Sequence, residues 1–522
     1  MKKIYYNGDF ITLEEPCEAI LIKDKIIQKI GTKEKILSYK DAETELIDLN
    51  GKTIMPSFID THSHFMAVAN NFLQVSLKNC IDFKEIGNRL KEFQENNKYK
   101  KDEWIIASGY DDSKLIEKRN ITKEELDKII KNNPVVLKHS SEHSGIFNTV
   151  ALEKLGITEK TVVPEGGKIE VKNGRLTGLL EENAFIKYIK LVPMPSNRNL
   201  LNACLKAQKK YLSYGITTLQ EGMLTEELVP IYLSLLESKN IEVDLVAYID
   251  IKKKEEIKEK FIKNIGKYYK NIKIGGYKIF LDGSPQLRTA WLRKPYEMEK
   301  EYCGYNTMDT KEVEQAMVES QEDNMQLLAH CNGDRAIQQY IEAIGKQNQN
   351  FKDLRPVIIH AQLLGMDQLE KIKMYSIILS FFIGHVYYWG DIHIKNLGKQ
   401  RAELISPAKS ALKEKIIFTF HQDSPVIEPN MFETIWCAVK RKTQNGKILG
   451  KDERIPLIDA IKAVTINAAY QYFEENQKGS IKEGKLANLI IIDKNPFKIQ
   501  TDKIKDIQIL ETIKEGKTLW KK

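Results

Sequence analysis

The chain has nine histidines, and two of them fall within three positions. In "PSFIDTHSHF", Pro56 to Phe65, a short apolar run closes on His62-Ser63-His64. Residues i and i+2 of a strand point to one side, so His62 and His64 are expected to converge and grip one metal ion. Imidazole and carboxylate donors suit zinc and its neighbours, and a catalytic site of this kind keeps one coordination position open for water. Other apolar runs also close on polar residues: Lys278 in "GGYKIFLDG", His330 in "QLLAHCNGD", His360 in "PVIIHAQ" and Asp423 in "IIFTFHQDS". An H-x-H pair alone is a weak sign, because a lone buried histidine is usually structural. Four histidines and an aspartate at the ends of separate strands are much harder to assign to packing.

Neighbouring residues carry lesser expectations. His421 precedes Asp423 by two and is expected to face the same side, as support for the site or as a substrate contact. Arg288, after the loop "DGSPQLR", has the chemistry to clamp a carboxylate or carbonyl, or equally to form a structural salt bridge. Asp282 in that loop reads as a tie rather than a chemical group. His385 and "YYWGD" fit an aromatic wall or core packing equally well. His139 and His393 receive no role. Cys331 adjoins His330 but has no partner to make it a nucleophile.

These residues need a frame that gathers strand ends. Eight apolar runs recur: "SFIDTHSH", "ITTLQEG", "VDLVAYID", "GGYKIFLDG", "QLLAHCNGD", "PVIIHAQ", "SIILSFFIGH" and "IIFTFHQDS". From the second onward, most gaps hold an amphipathic helical pattern such as "KEVEQAMVESQEDN". Repeated β-α units predict a parallel α/β sheet, and eight of them predict a closed (β/α)8 TIM barrel with its active-site mouth at the C-terminal strand ends. The long gap after the first run holds strands of its own, "EWIIASGY", "PVVLKHSSEH" and "GGKIEVKNGRLTGLL". The expected organisation is a barrel over 56–70 and 196–475, with a subdomain inserted over 71–195 that covers the mouth. Residues 1–55 and 476–522 both read as short strands, with Asn7-Gly8 and Asn50-Gly51 as turns, and are expected to form one composite β-sandwich.

Bulk properties exclude some classes. Apolar residues make up 42% of the chain, enough for a sizeable core, which excludes a disordered protein. The net charge of +8 is spread over Lys-Glu mixtures such as "IKKKEEIKEKFIKNIGKYYK", which read as solvated helix faces rather than a nucleic-acid stripe. No apolar run is long enough to span a membrane and no leader segment is evident, so a cytoplasmic location is expected. The six cysteines lie far apart, with no C-x-x-C pair, and suggest neither disulfides nor a cysteine zinc site.

The segments "PSFIDTHSHF", "YKIFLDGSPQLRTAWL", "HCNGDRAI", "IIHAQLL", "FFIGHVYYWGD", "FTFHQDSPV" and "GSIKEGKLANLIIID" together resemble the amidohydrolase superfamily, specifically its YtcJ-like branch, which includes N-substituted formamide deformylases. The resemblance spans essentially the whole chain. It implies that His62, His64 and Asp423 bind the more buried metal, and that His330 and His360 bind a second. It also implies that Lys278 carries a CO2-derived carbamate bridging the two ions. One-metal sites also occur in this superfamily, so the count is one or two divalent ions, with zinc expected. His143, in "SSEHSGIFN", stands at a position the family uses near the substrate. Two departures are visible: Leu287 where a small residue is frequent, and Asn488 where "ADL" would place Asp.

The function implied is hydrolysis of an amide or N-formyl C–N bond of a small molecule by metal-activated hydroxide. Asp423 would be the general base and pass the proton to the leaving amine, and no nearby carboxylate is expected to stand in for it. A deaminase, cyclic-amide or ester hydrolase is the alternative on the same site. A non-catalytic regulatory or binding protein on a hydrolase scaffold is the other, although the complete ligand set argues against it. A homo-oligomer is compatible with the sequence; nucleic-acid and membrane partners are not expected.

Overall fold

All eight apolar runs become strands of one sheet. The computed structural model describes residues 2–141, 143–193, 195–347 and 349–522. In chain order the strands are β1 (Phe58–Ile59), β2 (Ile216–Leu224), β3 (Asp244–Asp250), β4 (Ile272–Phe280), β5 (Gln326–Cys331), β6 (Val357–His360), β7 (Ile378–Phe381) and β8 (Phe418–Phe420). They lie side by side in sequence order and every pairing is parallel. Continuous apolar runs such as "VIIH" are buried along their length, as expected where both faces of a parallel sheet are covered.

The sheet is curled. Its edge strands β1 and β8 share no ladder, but their ends are joined by hydrogen bonds. Thr61 Oγ1 donates to Phe420 O at 3.2 Å, Asp423 N to His62 O at 3.2 Å and His64 N to Ser424 O at 2.8 Å. Inside, Ile59, Val246, Leu328, Ile359 and Ile378 pack with Ala468, Ala469 and Tyr472. The helices between strands follow their sequence signals. Thr310–Glu322 starts on an Asp309–Glu312 capping box and buries Val313, Ala316 and Met317.

The N-terminal ends of the strands hold a buried ionic cluster. Asp244, which opens β3, pairs with Lys478 at 2.5 Å and Lys514 at 2.8 Å. Glu474 pairs with Lys478 at 2.7 Å and with Lys273 of β4.

The two chain ends meet as expected. Thr53–Pro56 pairs antiparallel with Leu489–Ile492 in a five-stranded sheet. A separate four-stranded sheet is wholly N-terminal. Tyr5, Ile20, Ile22, Ile54, Leu489 and Ile513, drawn from both sheets, share one apolar cluster.

The chain divides into two compact units, one comprising Met1–Met66 and Gln208–Lys522 and the other Ala67–Ala207. The second has its own six-stranded sheet and its own core, including Ile105, Val135, Leu137 and Ile146.

Candidate metal centre

His62 and His64 do converge, but not as strand neighbours. β1 ends at Ile59, and 60–64 bends away. The two side chains therefore come together from a bend, not from strand alternation. Two interactions set the bend: Asp60 Oδ1 accepts from His62 N at 3.3 Å, and His64 makes an isolated bridge with Glu221. The two rings lie 5.1 Å apart at 75°. Gly222 must be a glycine for this, because a Cβ there would stand 2.7 Å from His62 Cε1 and 3.0 Å from His64 Cε1.

Asp423 completes the first group. Its Oδ1 lies 3.5 Å from His62 Nε2 and 3.4 Å from His64 Nε2. The donor atoms of His62, His64 and Asp423 all fall within 4.8 Å of one another. Asp423 lies past β8 with φ 53°, a conformation that favours glycine and costs a non-glycine residue about 1–3 kcal/mol. Burial pushes its carboxyl up, but the imidazoles of His64, His62 and His360 outweigh that and hold it well below the usual range. Its Oδ1 is buried and accepts no hydrogen bond among the described residues. Such an anionic oxygen, aimed between two imidazoles, fits a cation.

The partners behind the ligands fix their tautomers. Gln220 Nε2 donates to Thr61 O at 2.8 Å, so its Oε1 faces His62 Nδ1 at 2.7 Å. His62 Nδ1 must then be the donor, which leaves Nε2 a free lone pair. Glu221 Oε1 stands 3.6 Å from His64 Nδ1, while its Oε2 accepts from Tyr232 Oη and Met66 N, both at 2.9 Å. Burial pushes the His64 imidazole down, but Asp423 and Glu221 prevail and lift it to about 9. Gln220 and Glu221 received no role from the sequence. The signal was present: "ITTLQEG" is also an apolar run closed by polar residues. Asp423 is thus not the only carboxylate at hand, because Glu221 and the fully buried Asp60 lie beside the same histidines.

The second group comes from β4, β5 and β6. His330 Nδ1 and His360 Nε2 are 3.0 Å apart. His330 Nε2 lies 3.1 Å from Gly283 O and 3.0 Å from Asn332 Nδ2. His360 and Ala361 both have positive φ, 76° and 48°. His360 Nδ1 meets His421 Nε2 at 3.2 Å, and His421 Nδ1 meets Ser380 Oγ at 2.8 Å. His421 is fully buried, and its described contacts are those of a support for His360. Both His421 and Asp423 lie past the end of β8, and Asp423 is left-handed.

Lys278 of β4 is fully buried, and its Nζ has no hydrogen-bond partner among the described residues. Burial pushes its pKa down to about 7, against a smaller upward pull from Asp423. Its Nζ lies 5.1 Å from the centre of the Phe280 ring, and a buried amine with no hydrogen-bond partner among the described residues suits carboxylation by CO2.

Other sequence candidates are placed differently. The Arg288 guanidinium donates to Glu299 at 2.5 Å and lies over the Tyr296 ring, which is the salt-bridge reading. His143 belongs to the other unit, is 63% exposed and faces Glu182 at 3.0 Å. Asp282 does tie its loop: Asn332 N donates to Oδ1, and Trp291 N and Gly333 N donate to Oδ2, at 2.7–3.0 Å. His385 and His393 stack on each other in the core, with His385 against Phe382 and Trp389. A second cluster of donor atoms, Asp111, Asp112 and His139, lies in the Ala67–Ala207 unit.

A curled eight-stranded parallel sheet thus gathers imidazoles, a carboxylate and a buried lysine at its C-terminal strand ends. Residues 45–520 match the amidohydrolase family Amidohydro_3, and the chain belongs to that family, in its YtcJ-like branch. It is 28% identical to YtcJ of Bacillus subtilis (strain 168), over the full length of both chains. It is 26% identical to an N-substituted formamide deformylase of Arthrobacter pascens, covering 96% of this chain and 94% of the relative. Among solved structures, an uncharacterized metal-dependent hydrolase from Pyrococcus furiosus superposes with a TM-score of 0.75 at 24% identity, over 95% of this chain and all of the other.

Proposed function

We propose that this amidohydrolase cleaves the C–N bond of a small-molecule amide or N-formyl amine. The observation that carries the reading is the pair of donor groups at the strand ends. His62, His64 and Asp423 form one, within 4.8 Å of one another. His330 and His360, 3.0 Å apart, form the other with Lys278, whose Nζ has no hydrogen-bond partner among the described residues. A divalent ion, zinc by the donor chemistry, would be held by the first group, and a second ion by the other with a carbamate on Lys278. When bound, such an ion supplies a Lewis acid and lowers the pKa of water near it.

The chain's own residues supply the rest. Asp423, kept ionised by its imidazole neighbours, takes a proton from the attacking water and returns it to the leaving nitrogen. Gln220 and Glu221 hold the His62 and His64 rings in register, and His421 does so for His360. His143 is retained as a substrate contact, while Arg288 is read as the structural partner of Glu299. The terminal sheets are read as a β-sandwich, and residues 71–195 as an inserted subdomain. The likeness to a formamide deformylase favours N-formyl amines over lactams and esters. A screen of zinc-loaded protein against N-formyl amines, linear amides, lactams and esters tests this. Release of formate and amine is expected; turnover of esters or lactams alone would overturn the substrate assignment.

No helix among the described residues is long and apolar enough to cross a membrane.

A further inference from the structure

Gln362, two residues beyond His360, is buried and gripped twice by Ser406. Ser406 N donates to Gln362 O at 2.8 Å and Ser406 Oγ to Gln362 Oε1 at 2.7 Å, while Gln362 Nε2 donates to Phe382 O at 3.0 Å. Ser406 is itself left-handed, with φ 47°. Its carbonyl accepts from Arg441 Nη1 at 3.1 Å; Ile405 O accepts from Nη2 at 2.6 Å and Leu449 O from Nε at 2.9 Å.

Arg441 is fully buried. Among the described residues, no carboxylate accepts a hydrogen bond from its guanidinium. Burying a guanidinium is expensive; the charge of Glu453 offsets part of that cost, while the hydrogen bonds go to three backbone carbonyls. The surroundings are built around the group: a Cβ on Gly450 would stand 2.0 Å from Glu403 O and 2.9 Å from Arg441 Nη2. The other flank of the strained His360–Ala361 pair is held as well. Ala361 N donates to Cys331 O at 3.0 Å and Leu363 N to Asn332 O at 2.9 Å.

We propose that Arg441, Ser406 and Gln362 form a buried strut that fixes the left-handed His360–Ala361 pair and so aims the His360 ring at its metal. The three are positioning residues. The functional consequence rests on the reading of His360 as a ligand; the geometric claim does not.

The test uses the full-length variants Gln362→Met, Ser406→Ala and Arg441→Lys. The first readout is the ring-nitrogen NMR spectrum of 15N-histidine-labelled, metal-free protein. The His360, His330 and His421 signals should move while His143 stays in place. The second is zinc titration, where the affinity of the weaker-bound equivalent should fall roughly 10–100-fold, the range for residues that orient a ligand. kcat should drop with KM unchanged, and millimolar guanidinium should partly restore an Arg441→Ala protein. Ring signals that coincide with wild type in all folded variants overturn the strut, even where thermal stability falls. Ring signals that move in a protein whose wild type binds no zinc uphold the strut and reject the metal reading instead. Should Arg441→Lys fail to fold, Gln362→Met and Ser406→Ala decide.

Discussion

β4 carries two buried lysines five residues apart, and they live in opposite circumstances. Lys273, at the N-terminal end, donates to Tyr472 O at 3.0 Å and pairs with Glu474 inside a cluster where each carboxylate meets two ammonium groups. Lys278, at the C-terminal end, has no hydrogen-bond partner among the described residues. Asp244 and Asp423 repeat the contrast, the first accepting from two lysines and the second with a buried oxygen left unbonded. Buried polar groups are ordinarily satisfied, and each exception calls for an explanation. The saturated end holds the fold together. The unsatisfied end is arranged for something that binds there.

The largest expected effect breaks the chemistry without breaking the fold. Asp423→Asn keeps size and an oxygen donor but loses basicity. Turnover should fall about 10²–10⁴-fold, with zinc content by elemental analysis largely retained and the acidic limb of the pH–rate profile lost. Near-normal turnover would move the base elsewhere, with Glu221 the nearest carboxylate and His421 the next candidate.

The saturated end should respond in the opposite sense. Lys478→Met strips both Asp244 and Glu474 of a partner, and removing one member of a buried pair typically costs about 3–5 kcal/mol. Chemical denaturation should show that loss, while kcat of the folded fraction stays at wild type. A change in kcat with unchanged stability would reverse the roles of the two ends.

The two lysines sharpen the contrast further. In metal-free, CO2-free protein the Lys278 pKa lies near 7 against about 10.5 unfolded. Between those values the unfolded chain binds the extra proton, so stability rises with pH through this window, and the full penalty is felt below pH 7. Lys278→Met should therefore stabilise the metal-free protein below pH 7 by on the order of a few kcal/mol, with the gain fading toward pH 10. Lys273→Met should destabilise it, because Glu474 loses a partner. Urea midpoints across pH 6–10 check both.

The smallest effect belongs to the exposed His143. His143→Ala should shift KM severalfold with zinc content unchanged. Unaltered kinetics on every substrate would remove it from the pocket.

The strands and the residue types gathered at their ends were legible because they follow from hydrophobic period and from polar residues that close apolar runs. The eight runs became eight neighbouring strands for that reason. What escaped lies where the backbone leaves the strand. His62–His64 converge on a bend, and Asp423 and His360 are left-handed, which strand alternation does not anticipate. Gln220 and Glu221 close β2 as polar residues close the other runs, but their contacts with His62 and His64 span more than 150 positions. The His360–His421–Ser380 contacts and those of the buried Arg441 join residues far apart in sequence, and no spacing announces such partners.

The central claim is that the strand-end groups are unsatisfied because they bind divalent metal. The most direct measurement is zinc stoichiometry by elemental analysis of protein purified without chelator, repeated after stripping and remetallation in bicarbonate. About one to two equivalents per chain are expected, falling in His62→Ala and His64→Ala. Protein that holds no divalent ion after remetallation, while remaining folded, would contradict the account.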